Sequence, residues 1–530
     1  MSKVYSDRQA ARRFALSAWG AALVVAGAIV GCLVLFEDKG FLARAIQSDS
    51  LLPAQAVWDY ATHDYAVSGF QLPRAPSIVP DLLVYAVVHL ASESWRLATL
   101  AYGVLSLLAL AAIGGAIVRD VTGCTWRTGA QSALLLTLVC IMLALPITPA
   151  SKHLLLFMPA HHGGSFILSL ATLGIARSWL GRPEVARLAL LLGLVVAGVL
   201  SDLLFVIAAV IPLLAAIAYL AALHRISTGK VAVMLVCLVA GTAAALLLDL
   251  ALVREPLSAV DWARVPGRAY RFAESIREIA VAAPVTAFMI GGLPLIAFLA
   301  YPGIVRRSGL GEAGGFWWVA SASGMLGTIL VLPLLYIDSM GYRYASALLW
   351  WPLIWAAAGL VRSAGPVRGY AFATALAGVT VVLGFAYVRA GPHAPALLSL
   401  HRRLEMCLTE SASSAGLKAG LASYWHARVI AASSDWRLQV DQIGRDGSAQ
   451  YWGNDKFWYT HDIHDGARPP DYNYIVMAGL DETAIRVHYG SPDRTLECGA
   501  VSVWVFDDPA AVRQALVGLS PILSADLAGR

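Results

Sequence analysis

Apolar runs of about 20 residues recur along this chain as far as residue 388, and no other feature constrains its fold as tightly. A helix of that length matches the ~30 Å hydrocarbon core of a bilayer. Without water to satisfy the backbone, only helices or closed barrels cross such a core. The runs fall at about 14–36, 96–118, 128–146, 163–179, 187–200, 203–222, 231–250, 283–301, 315–336, 345–361 and 370–388. They predict an α-helical polytopic membrane protein with about eleven transmembrane helices. The chain is 58% hydrophobic and only 14% charged, against about 25% charged in a soluble protein. That excludes an ordinary cytosolic enzyme, a disordered chain and a collagen-like fibre. The net charge of +5 is small and spread out, which argues against nucleic-acid binding.

Charge sets the predicted orientation. Lys3, Arg8, Arg12 and Arg13 precede the first run, which is too long for a signal-peptide core and lacks a clear cleavage site. It reads as an uncleaved first span with its N-terminus inside. Arg119 and Arg127, Arg177, Arg182 and Arg187, Arg225 and Lys230, Arg306 and Arg307, and Arg362 and Arg368 then all fall on inside turns. The chain is expected to run N-in, C-out. Residues 78–92 are apolar but short, and counting them as a span would invert every later turn. They read as a helix lying in, or dipping into, the outer leaflet. The large outside loops are then 37–95, 147–162, 251–282 and 337–344. No GxxxxGK(S/T) sequence occurs, which argues against a nucleotide-driven pump.

The outside loops hold the polar chemistry. In the first, Asp49 lies between two serines and Asp81 follows Pro80. Asp49 is placed to deprotonate an acceptor hydroxyl, to cap a helix through 51–60, or simply to sit solvated in the loop. Asp81 fits either a catalytic role or a simple charge interaction at a helix start. Asp59, His63 and Asp64 read as solvated loop residues. The second loop brings Lys152, His153, His161 and His162 beside the membrane. Lys152 suits a lipid phosphate or interfacial snorkelling, and adjacent histidines are a weak metal signal. Asp202 sits in a tight turn, where it either lines a cavity or caps the next span. Asp338, Arg343 and Tyr344 precede another span. Arg343 is suited to bidentate phosphate binding, to an ion pair with Asp338, or to plain interfacial anchoring beside Tyr344 and Trp350. Arg254, Arg264, Arg268 and Arg271, with Trp262 and Tyr270, read as an interfacial amphipathic segment.

The composition shifts near residue 389. Residues 1–388 carry 26 Lys+Arg against 18 Asp+Glu, whereas 389–530 carry 13 against 16. A basic bundle therefore carries an acidic tail, large enough to bury its own core. Short strands are expected at WRLQVDQI, YNYIVMAG, AIRVHYG and VSVWVFDD, with helices at 395–412, 416–431 and 508–519, giving a small α+β extracytoplasmic domain. Cys407 and Cys498 are its only cysteines, and in an oxidising compartment they are expected to form a disulfide. Trp425, Trp436, Trp452, Trp458 and Tyr459 are either sugar-stacking platforms or core.

This layout resembles the GT-C superfamily of integral-membrane glycosyltransferases, which use polyprenyl-phosphate sugars. The resemblance rests on the long first outside loop with its early Asp49, the short apolar helix opening at Pro80-Asp81, and the Arg96-bearing start WRLATLAYGVLSLL of the next span. The span count and the outside C-terminal domain add to it. The chain also looks like a group of uncharacterised bacterial membrane proteins with SDSLLP, PD and GLxxYW stretches. It lacks the Asp-Glu pair and His-Pro-Pro of protein mannosyltransferase-like members and the WWDYG of oligosaccharyltransferases.

The resemblance implies a multi-pass protein of the bacterial inner membrane with a periplasmic C-terminal domain. It implies inverting transfer of a hexosyl or pentosyl group from undecaprenyl-phosphate sugar to a cell-envelope glycan, lipid or protein. Asp49 first, and Asp81 second, would be the base; Arg343, with Lys152 and Tyr344, would hold the lipid phosphate. His161, His162, Asp202 and Asp338 would line the cavity. No cofactor is firmly implied, and dependence on a divalent metal stays open. The alternative reading is a transporter or flippase of envelope lipids or glycans, which calls for mid-span ionisable residues or broken helices in matched halves. Asp202 and Asp249 lie at span ends instead. An envelope-glycan polymerase or ligase and a non-catalytic scaffold are further rivals.

Overall fold

The computed structural model describes residues 46–63, 69–73, 75–144, 157–250, 252, 261–282, 284–306, 311–335, 343–363, 403–466, 468–521 and 523–524. Within this set the protein is a bundle of long apolar helices beside a small α+β layer. The predicted spans at 14–36 and 370–388 lie outside the described residues. The other nine all fall on helical segments. Four helices are long and apolar enough to cross a membrane by length and composition: Trp95–Thr122, Thr228–Leu250, Glu312–Leu334 and Arg343–Arg362.

The bundle packs as its sequence allows. Ser346–Ser363 is apolar on every face, and it is the most enclosed of the long helices, with Trp350, Trp351 and Trp355 fully buried. Trp95–Thr122 and Trp126–Ala144 approach so closely at Gly115 and Gly129 that a Cβ on either would meet the other helix's backbone. Small residues permit that approach where apolar lipid supplies no hydrophobic drive for helix pairing. Residues 78–92 form a π-turn, Ile78–Leu82, running into the helix Leu83–Ser92. The turn is pinned to the end of helix Val185–Ser201, because Ser77 N donates to Ser201 O (3.0 Å) and Val79 N to Ser201 Oγ (2.8 Å).

The tail is a five-stranded sheet. Its strands are β1 (Ala419–Ser423), β2 (Val440–Ile443), β3 (Tyr472–Val476), β4 (Arg494–Cys498) and β5 (Val501–Val505), in spatial order β2-β1-β3-β5-β4. β1 pairs in parallel with both β2 and β3, and β5 pairs antiparallel with β3 and β4. The helix Tyr424–Ser433 makes the crossover that parallel β1 and β2 require. The disulfide Cys407–Cys498 ties helix Arg403–Ser414 to the end of β4.

Two expectations for the tail are corrected. β1 occupies part of the predicted helix 416–431. It is buried along its whole length, as a central parallel strand is, so it shows no alternation. AIRVHYG is not a strand but lies in the helix Glu482–Tyr489. Asp481 caps that helix by accepting from Thr483 N (3.0 Å) and Ala484 N (3.2 Å), and Gly490 closes it at φ 84°.

The tail docks on the first loop. Helix Ser48–His63 lies against helix Tyr424–Ser433, and Trp58 stacks on Trp436 with centroids 4.9 Å apart. Phe70–Gln71 pairs antiparallel with Asn454–Asp455. Arg96, expected at the start of the second span, reaches Asp435 of the tail at 2.5 Å. Asp59 is not solvated. It is 3% exposed and accepts from Trp458 Nε1 at 2.9 Å, because the docked tail covers it. Burial raises its pKa well above the ordinary carboxylate value.

Candidate functional site

Asp49 lies in the first turn of helix Ser48–His63, whose N-terminal positive end favours a carboxylate. It is 8% exposed, so the docked tail has turned a loop residue into a buried one. Its Oδ2 accepts from Arg343 Nη1 at 2.6 Å, and its Oδ1 accepts from the hydroxyl of Tyr424. Burial alone would raise its pKa. Arg343 beside it, then His161 and the Tyr424 hydroxyl, hold it below the ordinary carboxylate range instead.

Arg343 immediately precedes the helix Ser346–Ser363, and Ser346 Oγ ties back to its carbonyl at 2.9 Å. Its Nη2 donates to the Tyr344 hydroxyl at 3.1 Å, and its Nη1 also reaches His161 Nδ1 at 3.4 Å. His161 is fully buried, and its pKa is lowered to about 3, by burial first and then by Arg343. It is therefore neutral at physiological pH and can accept from the guanidinium. Arg343 Nε is buried and has no hydrogen-bond partner among the described residues.

His162 turns away from its neighbour. It adopts a left-handed backbone (φ 65°), uncommon for a residue other than glycine, at the start of helix Gly163–Gly181. Its Nδ1 lies 2.7 Å from Asp202 Oδ2. The two histidines thus serve different carboxylates, Asp49 by way of Arg343 and Asp202 directly. Among the described residues no group of three or more His, Cys, Asp or Glu could hold a metal ion.

Asp81 is 1% exposed and accepts from Tyr102 Oη (2.6 Å) and Ala160 N (2.8 Å). Burial raises its pKa to about 6. Gly164 makes this fit, because a Cβ there would overlap the Asp81 carboxylate.

A cleft opens beside these groups, its polar wall formed by His162, Ser165, Asp202, Thr328, Arg343, Tyr344 and Ser346. Ser165 Oγ, like Arg343 Nε, is buried and unpartnered among the described residues. The rest of the lining is largely aliphatic. Asp49 and Asp81 are not among the lining residues described.

The structure thus gathers Asp49, Arg343, Tyr344 and His161 into one network, and His162 and Asp202 into a second that shares the cleft wall. Asp81 stands behind the second. Lys152 and Asp338 lie outside the described residues. Of the tail aromatics, Trp436, Trp458 and Tyr459 are core, whereas Trp425 is exposed and Trp452 half-buried, both beside Tyr424. Tyr424 and Arg428 were not singled out by sequence reasoning. The GLxxYW stretch contains Tyr424, but nothing local says that its hydroxyl reaches a carboxylate 375 residues away. No family model matches this chain, and no curated protein matches it.

Proposed function

We propose that this protein is a GT-C-type glycosyltransferase that moves a sugar from a polyprenyl-phosphate donor to a cell-envelope glycan, lipid or protein acceptor. In this reading it is an eleven-span protein of the bacterial inner membrane, and the cleft and tail face the periplasm. The observation that carries it is Arg343, a half-buried guanidinium at a cleft wall. One edge of it is held by Asp49 and Tyr344, while its Nε has no partner among the described residues. A planar cation with an unfilled N–H, above an aliphatic floor, suits a phosphate with a hydrocarbon chain attached. Asp49 and Tyr344 hold the guanidinium in register. The charge that develops on a departing lipid phosphate is then stabilised by a group already oriented toward it.

The experiment is thermal unfolding of the purified full chain in detergent with undecaprenyl phosphate, and with undecaprenol as the phosphate-free control. A ligand that binds only the folded state adds about 2.7 kcal/mol of stability at ~100 Kd. Stabilisation is expected with the phosphate alone, lost in Arg343→Ala and weakened in Arg343→Lys, which keeps the charge but not the fork. A folded native protein that undecaprenyl phosphate does not stabilise would sink the reading.

A further inference from the structure

The cleft wall contains a second titratable pair that phosphate binding does not use. Asp202 is 2% exposed, and its carboxylate is held at both ends: Oδ1 accepts from Leu204 N at 2.9 Å, and Oδ2 faces His162 Nδ1 at 2.7 Å. His162 Nε2 makes no hydrogen bond among the described residues, and the ring lines the cleft 4.9 Å from that of Tyr344. Both sequence-chosen carboxylates are differently placed. Each oxygen of Asp49 and of Asp81 already accepts a hydrogen bond, and neither residue is among those described as lining the cleft.

We propose that His162 is the catalytic residue that takes the proton of the attacking acceptor hydroxyl, with Asp202 as its positioning residue. The proposal rests on the glycosyl-transfer reading above. A buried carboxylate on Nδ1 fixes the tautomer that carries its proton there, which leaves the Nε2 lone pair facing the cleft. The acceptor oxygen attacks the anomeric carbon from the face opposite the phosphate, and a new C–O bond forms. The bond from that carbon to the phosphate oxygen breaks, and its electron pair leaves with the phosphate, against Arg343. The hydroxyl proton passes to His162 Nε2 and from there to water. The charged and titratable groups around His162 are Asp202 from the helix end, Asp81 from the turn at 78–82, His161 beside it in the chain, and Arg343 and Tyr344 across the cleft.

The test uses diethyl pyrocarbonate, which acylates unprotonated imidazole nitrogen, on the purified full chain, with modification at His162 followed by peptide mass spectrometry across pH. His224, which is exposed, serves as internal reference. His162 is expected to react, and saturating undecaprenyl phosphate, but not undecaprenol, is expected to slow it several-fold. Asp202→Asn, which removes the carboxylate that orients Nδ1, should change the rate at which His162 reacts and Asp202→Glu should restore it, and a purely structural role would not show that rescue. If His162 is inert while His224 reacts, its nitrogen is not available and the proposal fails. If His162 reacts equally fast when undecaprenyl phosphate stabilises the protein, the base lies elsewhere, although the phosphate site stands. If undecaprenyl phosphate does not stabilise the native protein at all, the glycosyl-transfer reading falls and takes this proposal with it.

Discussion

Two arginines sit at the heart of this molecule, and they are used in opposite ways. Arg428, in the tail, is 3% exposed and spends every edge of its guanidinium on fixed oxygens: Gln55 Oε1, the Ser48 carbonyl and the Gly453 carbonyl. Arg343 bonds through both of its Nη atoms, to Asp49, His161 and Tyr344, while its Nε has no partner among the described residues. A guanidinium with all its donors satisfied is a bolt, here joining the tail to helix Ser48–His63. One that lines a cleft with a donor to spare is, on the proposed reading, a binding group. The tail connects the two, because Tyr424 lies one helical turn before Arg428 and donates to the carboxylate that holds Arg343.

The contrast can be broken most directly at the bolt. Arg428→Ala strands two buried carbonyls and Gln55, and by analogy with breaking a buried pair it should cost about 3–5 kcal/mol. Thermal unfolding and limited proteolysis between tail and bundle would report it. An unchanged midpoint would mean that Arg428 is no more structural than Arg343. Arg343→Ala leaves the buried Asp49 carboxylate without its partner and so lowers stability too, but it should in addition weaken undecaprenyl-phosphate binding by about 10- to 100-fold, or about 1.4–2.8 kcal/mol. Phosphate binding that Arg428→Ala weakens as much as Arg343→Ala does would erase the distinction. Tyr424→Phe removes one donor to Asp49 and leaves the ring, so a loss of about 1–2 kcal/mol is expected. If tail and site are coupled as described, it should also weaken phosphate binding slightly, and titration of the variant would show whether it does.

Asp59→Asn is the one change expected to stabilise. Burial raises the folded-state pKa of Asp59 well above its ordinary value, so the unfolded chain releases that proton first. Asp59 therefore costs no stability below the unfolded value of about 3.9, and an increasing amount as pH rises from there toward its raised folded value. Unfolding of native and Asp59→Asn protein should coincide in acid and separate above that pH, with the variant the more stable. The opposite order would mean that the ionised carboxylate is itself a partner in the docking.

Hydropathy made the bundle legible. Each described predicted span falls on a helical segment, because a run of apolar residues leaves the backbone no other way to satisfy itself in lipid. The tail was harder to read. β1 is short and buried on both sides, and Glu482–Tyr489 alternates like a strand, so period alone misled at both. The polar residues showed the same division. Asp49, Asp81, His161, His162, Asp202, Arg343 and Tyr344 could each be picked out, because an ionisable or polar group at the edge of an apolar run needs a reason to be there. Their pairing could not.

Residue type and spacing by themselves determined that this chain builds apolar helices, that Cys407 and Cys498 would meet, and which side chains were chemically able to form a site. Only the tertiary structure decided that Asp49 is matched with Arg343 across 294 residues, that His162 belongs to Asp202 and not to its neighbour, and that the tail seals Asp59. The reason is physical. Hydropathy and secondary structure are set by neighbours along the chain, whereas an ion pair or an imidazole's tautomer is set by whatever atom packing brings within 3 Å, and that distance is a property of the whole fold.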